Sequence, residues 1–146
     1  MTWQWFAVVA GSLLWAVDTS KEESKKALDP LQGTWVATGG EQEGNPFPEA
    51  GLKNMKLVVS GDQYTFTSDS PEEKGVLKPD PSKSPKALDI DIKEGEQKGQ
   101  SQKAIYELDG DTLKICFTQP GNDRPSEMAA KAGSKCVMIV FKKEKP

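Results

Sequence analysis

The chain contains no histidine among its 146 residues. That removes the commonest general base near neutral pH and the commonest metal ligand. Ser-His-Asp and Cys-His catalysis and a His-ligated zinc site are excluded with it. Arginine occurs once, at Arg124, and the formal net charge is −3, with acids and bases interspersed. Nucleic-acid binding, which needs a clustered basic face, is therefore not expected. Cysteine occurs twice, as Cys116 and Cys136, without a Cys-x-x-Cys spacing, so a dithiol redox role is not expected. No calcium-loop pattern occurs. Long helical periods are missing, and no apolar run reaches the roughly 20 residues that a spanning helix needs. The expectation is a protein that is not an enzyme, with no catalytic residues, no metal site and no cofactor.

Glycine and proline, by contrast, are frequent, at 13 and 10 residues, which implies many turns and hence many short strands. The length suits one domain. Residues 5–17, WFAVVAGSLLWAV, are mostly apolar and uncharged. They are short for a membrane span and suit the apolar region of a secretory signal. No Lys or Arg precedes them and no Ala-x-Ala follows, so an uncleaved anchor and an apolar helix stay open beside the signal. The expected organisation is a signal peptide over 1–17, a charged linker over 18–29 and a folded domain over 30–146. Export to the periplasm or the extracellular space follows, with no stable membrane span after processing. The linker (DTSKEESKKALD) has room for a helical turn, and Pro30 prevents a helix from continuing into LQGTW.

From Gly33 onward the dominant period is two. MKLVVSGDQYTFT (55–67) contains a hairpin with Gly61-Asp62 as its turn, which pairs Val59 with Tyr64 and Leu57 with Phe66. ALDIDI (87–92) alternates, with Leu88, Ile90 and Ile92 inward and Asp89 and Asp91 outward. AIYELDGDTLKICF (104–117) contains a second hairpin. With Asp109-Gly110 as the turn, Tyr106 meets Leu113 and Ala104 meets Ile115. CVMIVF (136–141) closes the series, with Val137, Ile139 and Phe141 inward. A first strand from about 33 to 43 and one near 75–78 bring the count to seven or eight. FPEAGLKNM (47–55) has room for one helical turn, and KPDPSKSPK (78–86) reads as a connection because Pro does not serve inner ladder positions. Such a meander hides its edges by closing into an up-and-down barrel, with a two-sheet sandwich as the competing solution.

Gly33-Thr34-Trp35 opens the first strand as Gly-x-Trp does in lipocalins. LQGTW, GDQYTF, PKALDI, IYELDGDTLKICF and PGNDRPSEM, in this order, resemble a lipocalin-like domain family common in planctomycete bacteria. The resemblance covers about residues 30–143. It implies an all-β, antiparallel, up-and-down lipocalin-like barrel of about eight strands, with the N-terminal signal and linker outside it. It implies no established activity. In lipocalins the Trp closes the narrow end of the barrel and an Arg near the last strand stacks over it. By that resemblance Gly33, Trp35 and Arg124 close the barrel here, Arg124 through a cation–π contact, with Lys142 as the substitute.

The inward stripe contains the candidate ligand residues Tyr64, Phe66, Leu88, Ile90, Tyr106 and Ile115, with Arg124 from the loop 118–135 as a polar contact. An eight-stranded barrel is just wide enough either to be filled by side chains or to hold one small ligand. Two functions therefore stand. One is a non-catalytic, extracytoplasmic, monomeric module that binds a small, partly apolar molecule. The other is a structural or protein-interaction domain with a filled interior. An apolar pocket of roughly 300 Å³ or more favours the first. Loop 118–135 is either a flap over the mouth or a plug over Trp35. Cys116 and Cys136 lie on the outer side of neighbouring strands, either bridged by a disulfide or as free thiols. Asp89 and Asp91 read as a solvated strand face, and Asp109 and Asp111 as turn residues.

Overall fold

A computed structural model describes residues 19–145; the signal-like stretch 5–17 lies outside them. The barrel strands are β1 (Gly33–Gln42), β3 (Lys56–Ser60), β4 (Gln63–Thr67), β5 (Glu73–Asp80), β6 (Ala87–Glu94), β7 (Ser101–Asp109), β8 (Thr112–Thr118) and β9 (Cys136–Lys143). Each is antiparallel to the next, and β1 pairs with both β3 and β9, so the sheet closes on itself. A two-residue strand, β2 (Asn45–Pro46), pairs only with β1 and lies outside the barrel. The expected up-and-down barrel of eight strands is the observed fold. Closure pairs each of the eight barrel strands on both sides, which is the physical benefit of this topology.

The first hairpin has the expected register, Val59↔Tyr64 and Leu57↔Phe66. The second does not. Tyr106 lies opposite Ile115 and Ala104 opposite Phe117, because the turn residues are Gly110-Asp111 rather than Asp109-Gly110. Gly110 takes φ +60° while Asp111 keeps a negative φ, and Gly61 does the same at +65° ahead of Asp62. A type II′ turn needs Gly at its first central position, which moves the register by two residues and leaves every side chain on its expected face.

Those faces build one core. It holds Trp35, Leu57, Val59, Tyr64, Leu77, Leu88, Ile90, Ile92, Tyr106, Leu113, Ile115, Val137, Ile139 and Phe141, with Phe66, Leu108 and Phe117 partly buried against it. Gly75 sits where a Cβ would lie 2.1 Å from the Asp91 carbonyl oxygen and 2.8 Å from the Tyr64 ring; only glycine lets β5 pass this closely.

Pro79 corrects the reading of 78–86 as connection only. It is fully buried inside β5, opposite Leu88. The Leu77 N–H donates to the Asp62 carbonyl oxygen beyond the start of β4. Residues two apart in a strand point their N–H groups the same way, so the missing N–H of Pro79 falls beyond the first residue of β4 and no ladder bond is lost. Its carbonyl accepts the Ser24 hydroxyl at 2.8 Å.

Ser24 belongs to α1 (Thr19–Leu28), a full helix where the composition allowed a turn at most. The helix stops at Leu28, and Pro30 lies in a 3₁₀ turn over Asp29–Leu31. Leu28 and Leu31 are buried in the barrel core. The short helix α2 (Glu49–Lys53) forms where one helical turn was expected. Among the described residues no helix is long and apolar enough to cross a membrane.

Candidate functional site

The two ends of the barrel differ. One gathers the starts of β1 and β6, the ends of β5 and β9, and the β3–β4 and β7–β8 turns. Here Trp35 is completely buried, and its indole Nε1 donates to the Leu31 carbonyl at 2.8 Å. Gln32 ties this end together. Its Nε2 donates to the Leu28 and Gly61 carbonyls at 3.0 and 2.8 Å, and its Oε1 accepts the Gly61 N–H at 2.7 Å. The Gly-x-Trp opening is thus a seal.

The cation over that seal is neither Arg124 nor Lys142. The Lys143 ammonium lies 5.7 Å from the Trp35 ring centroid, because Lys143 is directly opposite Trp35 in the β1–β9 ladder. The inward alternation Val137, Ile139, Phe141 extends to 143, whereas 142 faces out. Arg124 is instead on the outer wall. It donates to the Ala104 and Leu88 carbonyls at 2.8 and 3.2 Å and to the Asp89 carboxylate at 2.6 Å.

Loop 118–135 follows Arg124 onto that wall and is neither flap nor plug. Met128 and Ala130 pack on Ile105, Cys116, Cys136 and Met138, forming a second apolar cluster outside the barrel. The cysteines are both free and buried, and no disulfide joins them. Cys116 lies opposite Met138 and Cys136 opposite Thr118, so they are diagonal neighbours rather than a direct pair. Burial pushes the Cys116 thiol up to about 12. Asp91 is outward too, bonded to Lys78 and to the Ser101 hydroxyl, each at 2.7 Å; both hydrogen bonds hold its carboxyl below the ordinary range. Among the described residues no group of three or more Cys, Asp and Glu side chains is placed to hold a metal ion.

The opposite end is open. Behind it lies an apolar cavity of about 60 Å³, walled by Leu57, Leu77, Ile90, Ile115 and Phe141 among others. A mouth recess of about 280 Å³, rimmed by Phe47, Met55, Ser70, Pro71 and Gln97, shares Phe66, Glu73, Gln102, Phe117 and Ile139 with the cavity. Four of the seven expected ligand residues meet here: Tyr64, Phe66, Ile90 and Ile115. Leu88 and Tyr106 do not line this cavity, since their ladder positions lie toward the sealed end, and Arg124 is outside.

At the junction of cavity and recess stand two polar residues that had not been singled out. The Tyr64 hydroxyl donates to Glu73 Oε2 at 2.8 Å. Burial, then this bond to the carboxylate, raises the Tyr64 pKa. Gln102 is only 6% exposed, and among the described residues its carboxamide has no hydrogen-bond partner. A buried amide without a partner costs about 1–3 kcal/mol, so native proteins rarely keep one without a reason. Its sequence signal was parity: Gln102 is the one polar member of the inward series Gln102, Ala104, Tyr106, Leu108. Glu73 begins the inward series 73, 75, 77, 79.

No protein-family model matches the chain, and no curated protein matches it either.

Proposed function

We propose that the chain is a non-catalytic binding module that takes a small, partly apolar molecule end-on at the open mouth of the barrel. The observation that carries this reading is Gln102, a buried carboxamide facing the cavity with both its donors and its acceptor unused. The neighbouring apolar walls supply the remaining affinity. The cavity alone, at about 60 Å³, is far below the ~300 Å³ of a usual ligand pocket. The occupant therefore inserts one end and leaves the rest in the recess. The signal-like residues 5–17 and the lipocalin-like motif order support an exported, lipocalin-like module, in which the cavity is the natural place for a ligand.

The second reading, a structural or interaction domain with a filled barrel, is favoured by that same small cavity. Native mass spectrometry of the full chain purified from its own host separates the two. A co-purifying small molecule that is lost in Q102L supports binding. Repeated absence of any adduct, together with unchanged behaviour of Q102L, favours the filled barrel.

A further inference from the structure

Resting on the mouth-binding reading, we infer that the occupant carries a hydrogen-bond-donating head group, cationic or neutral, at the end of a short apolar tail, and that anionic head groups such as carboxylates are rejected. Three observations lead there. First, Glu73 is an acceptor held in place: Tyr64 donates to its Oε2 at 2.8 Å, which leaves Oε1 for a ligand. Second, the Gln102 carboxamide offers one acceptor and two donors beside it, all without partners among the described residues. A head group that both donates and accepts satisfies it, and a donor satisfies Glu73 at the same time. Third, among the described residues the charged ones around the recess are Glu73 and Glu96, and no Lys or Arg lines it. A carboxylate or sulfonate placed there would face Glu73 without a counter-charge in a partly desolvated site, whereas an ammonium would meet its counter-charge.

The tail is bounded by the cavity. At 10–15 Å³ for each water-sized group, about 60 Å³ holds roughly four to six such groups. That is the size of a short alkyl chain or one small ring. Anything larger must lie back over Phe66 and Phe117 in the recess.

The test uses three probes with one tail: n-hexylamine, n-hexanol and hexanoate, titrated at pH 7 into the isotopically labelled chain and read by backbone amide shifts in β5 and β7. The expected order is amine tighter than alcohol by at least about threefold, with hexanoate about tenfold weaker than the alcohol or silent. E73Q should bring the amine to the level of the alcohol, because losing the carboxylate charge weakens the amine more than the neutral probe. Q102L should weaken amine and alcohol alike, and it keeps the inference falsifiable if E73Q fails to fold. Hexanoate binding as tightly as the amine, or an amine preference that survives E73Q, overturns the head-group inference while the binding reading stands. No shift with any of the three probes defeats the binding reading itself, and this inference with it.

Discussion

Two glutamines mark the two ends of this barrel. Gln32, at the sealed end, makes three hydrogen bonds that tie the 3₁₀ turn to the β3–β4 hairpin. Gln102, at the open end, is more deeply buried; its backbone belongs to the β6–β7 ladder, yet among the described residues its carboxamide makes none. The same functional group thus serves architecture at one end and stands unused at the other. The surroundings agree. The sealed end holds a completely buried indole, two leucines from outside the sheet and the stem of a lysine. The open end holds half-buried aromatics and a half-buried carboxylate. Satisfaction of polar groups, rather than hydrophobicity, separates the end that holds the fold together from the end available for binding.

That contrast can be broken by mutation. The largest effect is expected for W35A: loss of about 3–5 kcal/mol of stability, as for other buried large-to-small changes, measured by urea unfolding. A loss under 1 kcal/mol would mean that the seal is not where the stability resides. R124A should cost about 2 kcal/mol, since it removes bonds from a charged donor to two carbonyls and a carboxylate. It should leave probe binding at the mouth unchanged, which distinguishes a wall clamp from a ligand contact. Q102L should go the other way and stabilise the ligand-free chain by about 1 kcal/mol, because an unsatisfied amide is replaced by an apolar group of similar size. Destabilisation by Q102L would show that the carboxamide has a structural partner. The smallest effect is expected for K143Q, about 0.5 kcal/mol, as the cation lies at the outer limit of cation–π distance.

Alkaline titration adds a pH-dependent contrast between the barrel wall and the exposed surface. Cys116 and Tyr64 both have raised pKa values in the fold, so the native state holds their protons more tightly than the unfolded chain does. Stability is therefore retained below the ordinary thiol value of about 8.5, at which half of an unfolded thiol is ionised, and falls as pH rises from there toward about 12. Unfolding followed by circular dichroism from pH 8 to 11 should show the decline, reduced in C116A. A flat profile in the wild-type chain would contradict the burial of these groups.

The sequence made the barrel legible because period-two alternation is read one strand at a time. Leu57, Val59, Tyr64 and Phe66 fix one hairpin, and Leu88, Ile90 and Ile92 fix a face. It left less of the wall legible, because β7, β8 and β9 carry apolar residues at both parities. Ile105, Cys116 and Met138 face outward, which means that something covers them; alternation alone does not say that loop 118–135 does. Lys143 continues the inward series 137, 139, 141, so parity alone places it over Trp35; a resemblance to lipocalins points to an arginine instead. Pro79 reads locally as a strand breaker because its position beyond the first residue of β4 is a tertiary fact. Gln102 was visible as a polar interruption of an apolar stripe, yet whether such a residue finds a partner depends on the far side of the barrel, which no local pattern contains.

The double pairing of β1 has a temporal consequence. Its early half is zipped to β3, a near neighbour in the chain, but its full length also needs β9, the barrel strand made after the other seven. Until that final segment arrives, β1 and β8 each present an unpaired flank, and the cylinder stays an open, slowly folding ribbon whose closing contacts are among the most distant in sequence. A chain cut short by even one strand is therefore expected to be left with two adhesive edges.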